Sequence, residues 1–99
     1  MHYALICIDK SNSVSLRMAT REDHLAWLKG QQAEGKVLFT GPFLSDEGEM
    51  NGSLLLVDVP DRQAAEAMAA ADPYAKAGLF ASTDIRAWKW VIGKPEDKD

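Results

Sequence analysis

Asp61-Arg62-Gln63-Ala64-Ala65-Glu66-Ala67-Met68-Ala69-Ala70-Ala71-Asp72-Pro73-Tyr74 reads as a helix bounded by two aspartates. Pro60-Asp61 opens it, with Asp61 as the N-cap. Ala64, Ala65, Met68, Ala69 and Ala71 form its inner face, and small residues there allow close packing. Asp72-Pro73 ends it, because proline cannot continue the hydrogen-bond ladder and biases Asp72 away from helical dihedrals. Tyr74 to Ala77 makes one more turn, stopped by Gly78. Asp72 has two readings: a cap for that turn, or a carboxylate aimed at a histidine elsewhere.

Strands flank this helix. Ser53–Val59 is nearly continuously apolar and reads as a central strand. Ser82–Ile92 reads as the last strand. Thr83, Ile85, Ala87 and Val91 fall on one face of it, and Ser82, Asp84, Arg86, Trp88 and Trp90 on the other. Upstream, Tyr3–Asp9 is the first strand and Lys10–Ser15 a polar loop. Thr20-Arg21-Glu22-Asp23 has the form of a capping box, so a helix begins there, with Leu16 to Ala19 as a candidate earlier turn. His24 then lies in the first turn, sharing a side with Trp27, Leu28 and Gln31, and Gly35 is the stop. Val37–Leu44 is the second strand; Gly41-Pro42 within it points to an edge strand or a bulge. Ser45–Gly52 is a connecting loop.

The order is β-α-β-β-α-β, an α+β ferredoxin-like fold with an antiparallel sheet and helices on one face only. The other face is expected to carry Leu5, Cys7, Trp88 and Trp90. So much apolar area is rarely left to solvent, which predicts a homodimer through the sheet faces; a monomer shielded by its own tail is the alternative.

The 99 residues suit a single domain, taken as residues 1–93 with a flexible charged tail at 94–99. The net charge of −4 argues against nucleic acid as a partner. No apolar stretch approaches the ~20 residues that span a bilayer, and no signal peptide is recognised. Cys7 alone forms no internal disulfide. These features point to a cytoplasmic protein with no membrane partner. His2, His24 and Cys7 lack ligand spacing, so no metal or other cofactor is expected.

Strand order brings particular residues to one end. The first strand ends there, the first helix begins there and the second helix finishes there. His24, Asp72, Tyr74, Ser53 and the Gly41-Pro42-Phe43 bend therefore collect together. A carboxylate on one imidazole nitrogen leaves the other as a base. A first-turn position opposes protonation of His24 through the helix dipole, whereas Asp72 favours it. The bland readings are a well-capped turn at Asp72 and a packed core histidine at 24.

Tyr3-Ala-Leu-Ile-Cys-Ile-Asp-Lys10, Arg21-Glu22-Asp23-His24-Leu25, Gly35-Lys36-Val37-Leu38 leading to Gly41-Pro42, Gly52-Ser53, and Ala71-Asp72-Pro73-Tyr74 before Ala77-Gly78-Leu79 together resemble the YCII-related family (YciI-like small bacterial proteins). The resemblance implies a fold of the dimeric α/β-barrel type with a His/Asp active site, matched here by His24 and Asp72. It also implies a class of chemistry. One branch is similar to a dehydrochlorinase acting on chlorinated hydroxyaromatics, and the wider fold group includes muconolactone isomerases.

The leading expectation is thus a cofactor-independent lyase or isomerase moving a proton on a small, aromatic or lactone-like acid. His24 and Asp72 are its catalytic pair. Phe43 and Tyr74 line an apolar pocket, and Ser53 binds a polar substituent. The alternatives are a non-catalytic small-ligand binder or regulator using the same pocket, and a purely structural dimer module.

Overall fold

The computed structural model describes residues 1–94. The elements are β1 (His2–Asp9), α1 (Val14–Ala33), β2 (Val37–Leu44), β3 (Met50–Asp58), α2 (Arg62–Ala71), α3 (Pro73–Lys76) and β4 (Phe80–Trp88). The sheet order is β2-β3-β1-β4, with every neighbouring pair antiparallel. This is the ferredoxin-like α+β fold, of the dimeric α/β-barrel type. Of the tail expected at 94–99, residues 95–99 lie outside the described residues. Among the described residues, no helix is long and apolar enough to cross a membrane.

Pairing fixes which side chains share a face. Leu5 faces Leu55 and Ile85, and Tyr3 faces Val57 and Ala87. These positions form the helix-covered side, where Tyr3, Leu5, Cys7, Leu55 and Val57 pack with Leu28, Ala65 and Met68. Leu5 and Val57 are wholly buried, each contributing on the order of 1.5–3 kcal/mol relative to exposure.

The expected composition of the open face is therefore half corrected. Leu5 and Cys7 lie in the core, because their partners Ile85 and Thr83 sit on the strand face opposite Trp88. The open side carries Ala4, Ile6 and Ile8 of β1, Leu54 and Leu56 of β3, and Phe39 and Phe43 of β2. Trp88 belongs to it as well, since it pairs with His2. Trp90 reaches it differently. β4 ends at Trp88, short of the expected Ile92, so Trp90 lies beyond the strand. The Trp90 ring stands edge-on to Phe39 at 5.4 Å and lies 5.8 Å from Trp88. Ile8, Phe39 and Trp88 on this face remain 44%, 43% and 39% exposed.

β2 is an edge strand, as Gly41-Pro42 indicated. The register breaks fall elsewhere, between Val37 and Phe39 and between Phe43 and Leu44. β3 begins at Met50, three residues before the expected start at Ser53. Gly52 lies inside it for a physical reason. A Cβ at this position would stand 2.5 Å from the Cys7 carbonyl oxygen and 2.9 Å from Phe43 Cδ2, so only glycine lets these strands close.

The largest departure concerns α1. It begins at Val14, with Ser13 as a cap residue whose side chain makes no capping hydrogen bond. Thr20-Arg21-Glu22-Asp23 lies inside the helix and is no capping box. Leu16-Arg17-Met18-Ala19 are all good helix formers, and Arg17 is anchored to the sheet, as described below. His24 is accordingly in the third turn. It stands beyond the reach of the helix N-terminal dipole, whose effect fades within the first turn.

Candidate active site

α1 presents Arg17, Arg21, His24 and Leu28 in one stripe, at spacings of four, three and four residues. α3 meets this stripe through the Asp72-Pro73-Tyr74 junction. Proline holds Asp72 in an extended conformation (φ −60°, ψ 127°). The Asp72 carboxylate then faces both its own turn and α1.

A single oxygen does both jobs. Asp72 Oδ1 accepts the Tyr74 backbone N–H at 2.9 Å and lies 2.7 Å from His24 Nδ1. The cap and the histidine partner, two roles the sequence allows to one carboxylate, coexist on one atom. Asp72 Oδ2 is buried and has no hydrogen-bond partner among the described residues. Asp72 is 1% exposed, His24 5% and Tyr74 1%. The carboxylate acceptor fixes the neutral imidazole with its proton on Nδ1, leaving the Nε2 lone pair uncommitted. The Tyr74 ring stacks on the imidazole, with centroids 3.8 Å apart and planes 18° off parallel. Tyr74 thereby holds the ring plane while Asp72 holds its rotation.

A second buried cluster forms the floor. Arg17 donates from Nε to Asp9 Oδ2 at 2.8 Å, and from Nη2 to Asp9 Oδ1 at 3.0 Å and Ser53 Oγ at 2.9 Å. Its guanidinium carbon lies 4.5 Å from the Tyr74 ring centroid. Arg17, Tyr74 and His24 are thus layered, cation on ring on ring. Burial works against the Arg17 charge, but the Asp9 carboxylate more than offsets it, and the guanidinium is held above its ordinary value. Burial pushes the Tyr74 hydroxyl up, opposed by Arg17 and Arg21 and reinforced by Asp72. Asp9 is placed by the alternation of β1. Opposite it, β4 carries an extra residue between Ser82, which pairs with Ile8, and Phe80, which pairs with Asp9. Phe80 then meets the Tyr74 ring edge-on at 6.0 Å.

Arg17, Arg21, His24, Ser53 and Tyr74 line a cavity of about 140 Å³, closed by Leu25 and Leu28 from α1, Thr40, Gly41 and Pro42 from β2, and Met50 from β3. Of the residues expected at the site, His24, Ser53 and Tyr74 line it, and Asp72 stands behind His24. Phe43 does not. It pairs with Gly52 on the open side of the sheet, opposite the face of Ser53. Pro42 and Thr40 occupy the β2 wall instead, because pleating alternates the side chains. Ser53 is present but already engaged by Arg17. Sequence reasoning missed Arg17, Arg21 and Asp9. The stripe from Arg17 to Leu28 was readable only once α1 was extended past Thr20. Among the described residues, no group of three or more His, Cys, Asp or Glu side chains is placed to hold a metal ion.

The model of the YCII-related domain matches residues 1–89. The chain belongs to the YCII-related family. An uncharacterised member from Haemophilus influenzae is 37% identical over 98 residues, covering 93% of this chain and 100% of the relative. The YciI protein of Escherichia coli is 33% identical over the same shares. Among solved YCII-like structures, 5-chloro-2-hydroxyhydroquinone dehydrochlorinase from Burkholderia phenoliruptrix, in complex with 2,5-dihydroxybenzoquinone, superposes with a TM-score of 0.80. It is 31% identical to this chain, over 90% of this chain and 94% of that one.

Proposed function

We propose that this YCII-related protein is a cofactor-independent lyase or isomerase in which His24 and Asp72 move a proton on a small organic acid, aromatic or lactone-like. The observation that carries the reading is the buried 2.7 Å contact between His24 Nδ1 and Asp72 Oδ1, with His24 lining a small cavity. The likeness to a dehydrochlorinase, a lyase, supports the reaction class.

Nε2 takes a proton from a hydroxyl or carbon of the bound molecule. In a lyase, the freed electron pair forms a new double bond and a leaving group such as chloride departs with the electrons of its own bond. In an isomerase, the same proton returns to a different carbon. Either way, the imidazolium formed is stabilised by the carboxylate on Nδ1. Tyr74 keeps the imidazole plane fixed, so little reorganisation accompanies the transfer. A cavity of about 140 Å³ lies below the ~300–1,000 Å³ of drug-sized sites, which favours a single ring or a short chain.

The test is a substrate screen with 5-chloro-2-hydroxyhydroquinone, other halogenated hydroxyaromatics and unsaturated lactones, following chloride release and absorbance. His24→Gln should lower any turnover by about 10²–10⁴-fold, the ordinary worth of a general base. Turnover untouched by His24→Gln sinks the role given to His24. Saturable binding with no turnover across the screen favours the non-catalytic binder.

We also propose that a second copy of the chain covers the open sheet face. Ile8, Phe39 and Trp88 are large apolar side chains left exposed on it, and apolar area on one sheet face is the usual mark of an interaction surface. Sedimentation should give twice the 10.9 kDa chain mass. A Trp88→Glu variant should shift it to the monomer; a wild-type monomer at micromolar concentration excludes this assembly.

A further inference from the structure

Two guanidinium groups line the cavity beside His24, and among the described residues only Arg17 has its charge matched. Arg17 is held on both prongs by Asp9 and also donates to Ser53. Arg21 is one helical turn further along the same stripe, three residues before His24. It is solvent-exposed and lines the cavity. Among the described residues, it forms no ion pair and no side-chain hydrogen bond, although it is close enough to Tyr74 to act on its hydroxyl. An unpaired guanidinium at the mouth of a small cavity whose inner wall is a buried imidazole is complementary to an anion.

We propose that Arg21 is the anion anchor of the site. The ligand is a small monoanion whose carboxylate or phenolate oxygen pairs with the Arg21 guanidinium, placing the rest of the molecule against His24 and the Leu25, Leu28 and Pro42 walls. The identity of the oxygen's neighbour as a proton donor to Nε2 rests on the proton-transfer reading above; the charge preference does not. Arg21 reads the charge and the apolar walls read the size. A neutral molecule of the same shape fits the walls but leaves the guanidinium unmatched.

Benzoate and benzamide are a suitable probe pair, being equal in shape and different in charge. Their affinities are measured by calorimetry at low ionic strength on the full chain, for the wild type, Arg21→Met, Arg21→Lys and His24→Gln. The wild type should bind benzoate about tenfold or more tighter than benzamide. Arg21→Met should bring benzoate down to the benzamide level, with benzamide affinity and melting temperature unchanged. Arg21→Lys should recover part of the preference, as a point charge without the planar fork. Equal binding of the two probes by the wild type, binding of neither, or a preference that survives Arg21→Met overturns the proposal. His24→Gln separates the two readings: it should keep the charge preference whether or not turnover is lost. A kept preference with unchanged turnover removes the proton-transfer role and leaves the anchor. A lost preference in Arg21→Lys and wild type alike, with turnover still dependent on His24, does the reverse.

Discussion

Removing the Arg17 side chain should be among the most damaging single changes in the protein. The Arg17 and Asp9 side chains are 3% and 4% exposed, and the contact uses two hydrogen bonds, at 2.8 and 3.0 Å. Arg17→Met preserves length and apolar bulk but leaves Asp9 as a buried carboxylate without its cation. Breaking a buried pair in this way costs about 3–5 kcal/mol. Losing the cation over Tyr74 adds about 0.5–2 kcal/mol. Against a total stability of roughly 5–15 kcal/mol, that is a large share. The assay is urea unfolding followed by tryptophan fluorescence. With a slope of about 2 kcal/mol/M, the midpoint should fall by about 2–3 M. The double variant Asp9→Leu/Arg17→Met is the sharper arm, since an apolar pair of similar volume is often neutral relative to a buried ion pair. It should regain most of the loss, and the coupling in the double-mutant cycle measures the pair. A loss below about 1 kcal/mol in Arg17→Met, or a double variant less stable than either single one, refutes the reasoning.

Three further outcomes follow from single positions. Gly30 lies within α1 with open space where a Cβ would project, so Gly30→Ala should raise stability by about 0.5–1 kcal/mol, seen as a melting temperature a few degrees higher; a decrease would mean the position is covered. Gly52→Ala should lower stability by more than 2 kcal/mol in the same assay, because the new methyl meets the fixed Cys7 carbonyl; a neutral result contradicts the close strand approach. Burial pushes the Cys7 thiol up from 9.0 to about 11, so the folded chain keeps its proton where the unfolded chain has released it. The resulting stability is whole below pH 9 and is lost as pH rises through 11, by about 1.4 kcal/mol per unit over that window. Urea midpoints at pH 8 and 10 should therefore diverge more in the wild type than in Cys7→Ala; parallel pH dependences would show that the thiol is not buried.

Much of the fold was legible because short apolar runs bounded by turn residues mark the strands. With the alanine face of α2 they give the β-α-β-β-α-β order, and Asp61 caps α2 as expected, accepting from the Ala64 N–H. The meeting of His24 and Asp72 followed from which ends of the elements coincide. Boundaries were less legible where a tertiary contact overrides a local signal. Thr20 to Asp23 looks like a helix start, but Arg17, docked on Asp9 and Ser53, draws the helix back to Val14. Phe43 looked like a pocket wall because Gly41-Pro42-Phe43 reaches the right end of the sheet. Its face is decided by one residue of pleat, fixed by the register with Gly52. Trp90 looked like a strand residue because it continues the alternation of Trp88. Its ring instead packs on Phe39, which no local pattern encodes. Arg21 was visible in the Arg21-Glu22-Asp23-His24-Leu25 motif, three residues before His24, yet its place on the cavity follows from how α1 packs against β2 and α3, which no local pattern encodes.

The central claim is that Asp72 holds His24 with its proton on Nδ1 and turns Nε2 into the base. Nitrogen-15 NMR of the His24 imidazole, at a pH where the ring is neutral, tests this directly. The structure predicts a protonated Nδ1, an unprotonated Nε2, and a change in the Nδ1 signal in Asp72→Asn. A proton on Nε2 in the wild type, or an Nδ1 signal indifferent to Asp72, would contradict it.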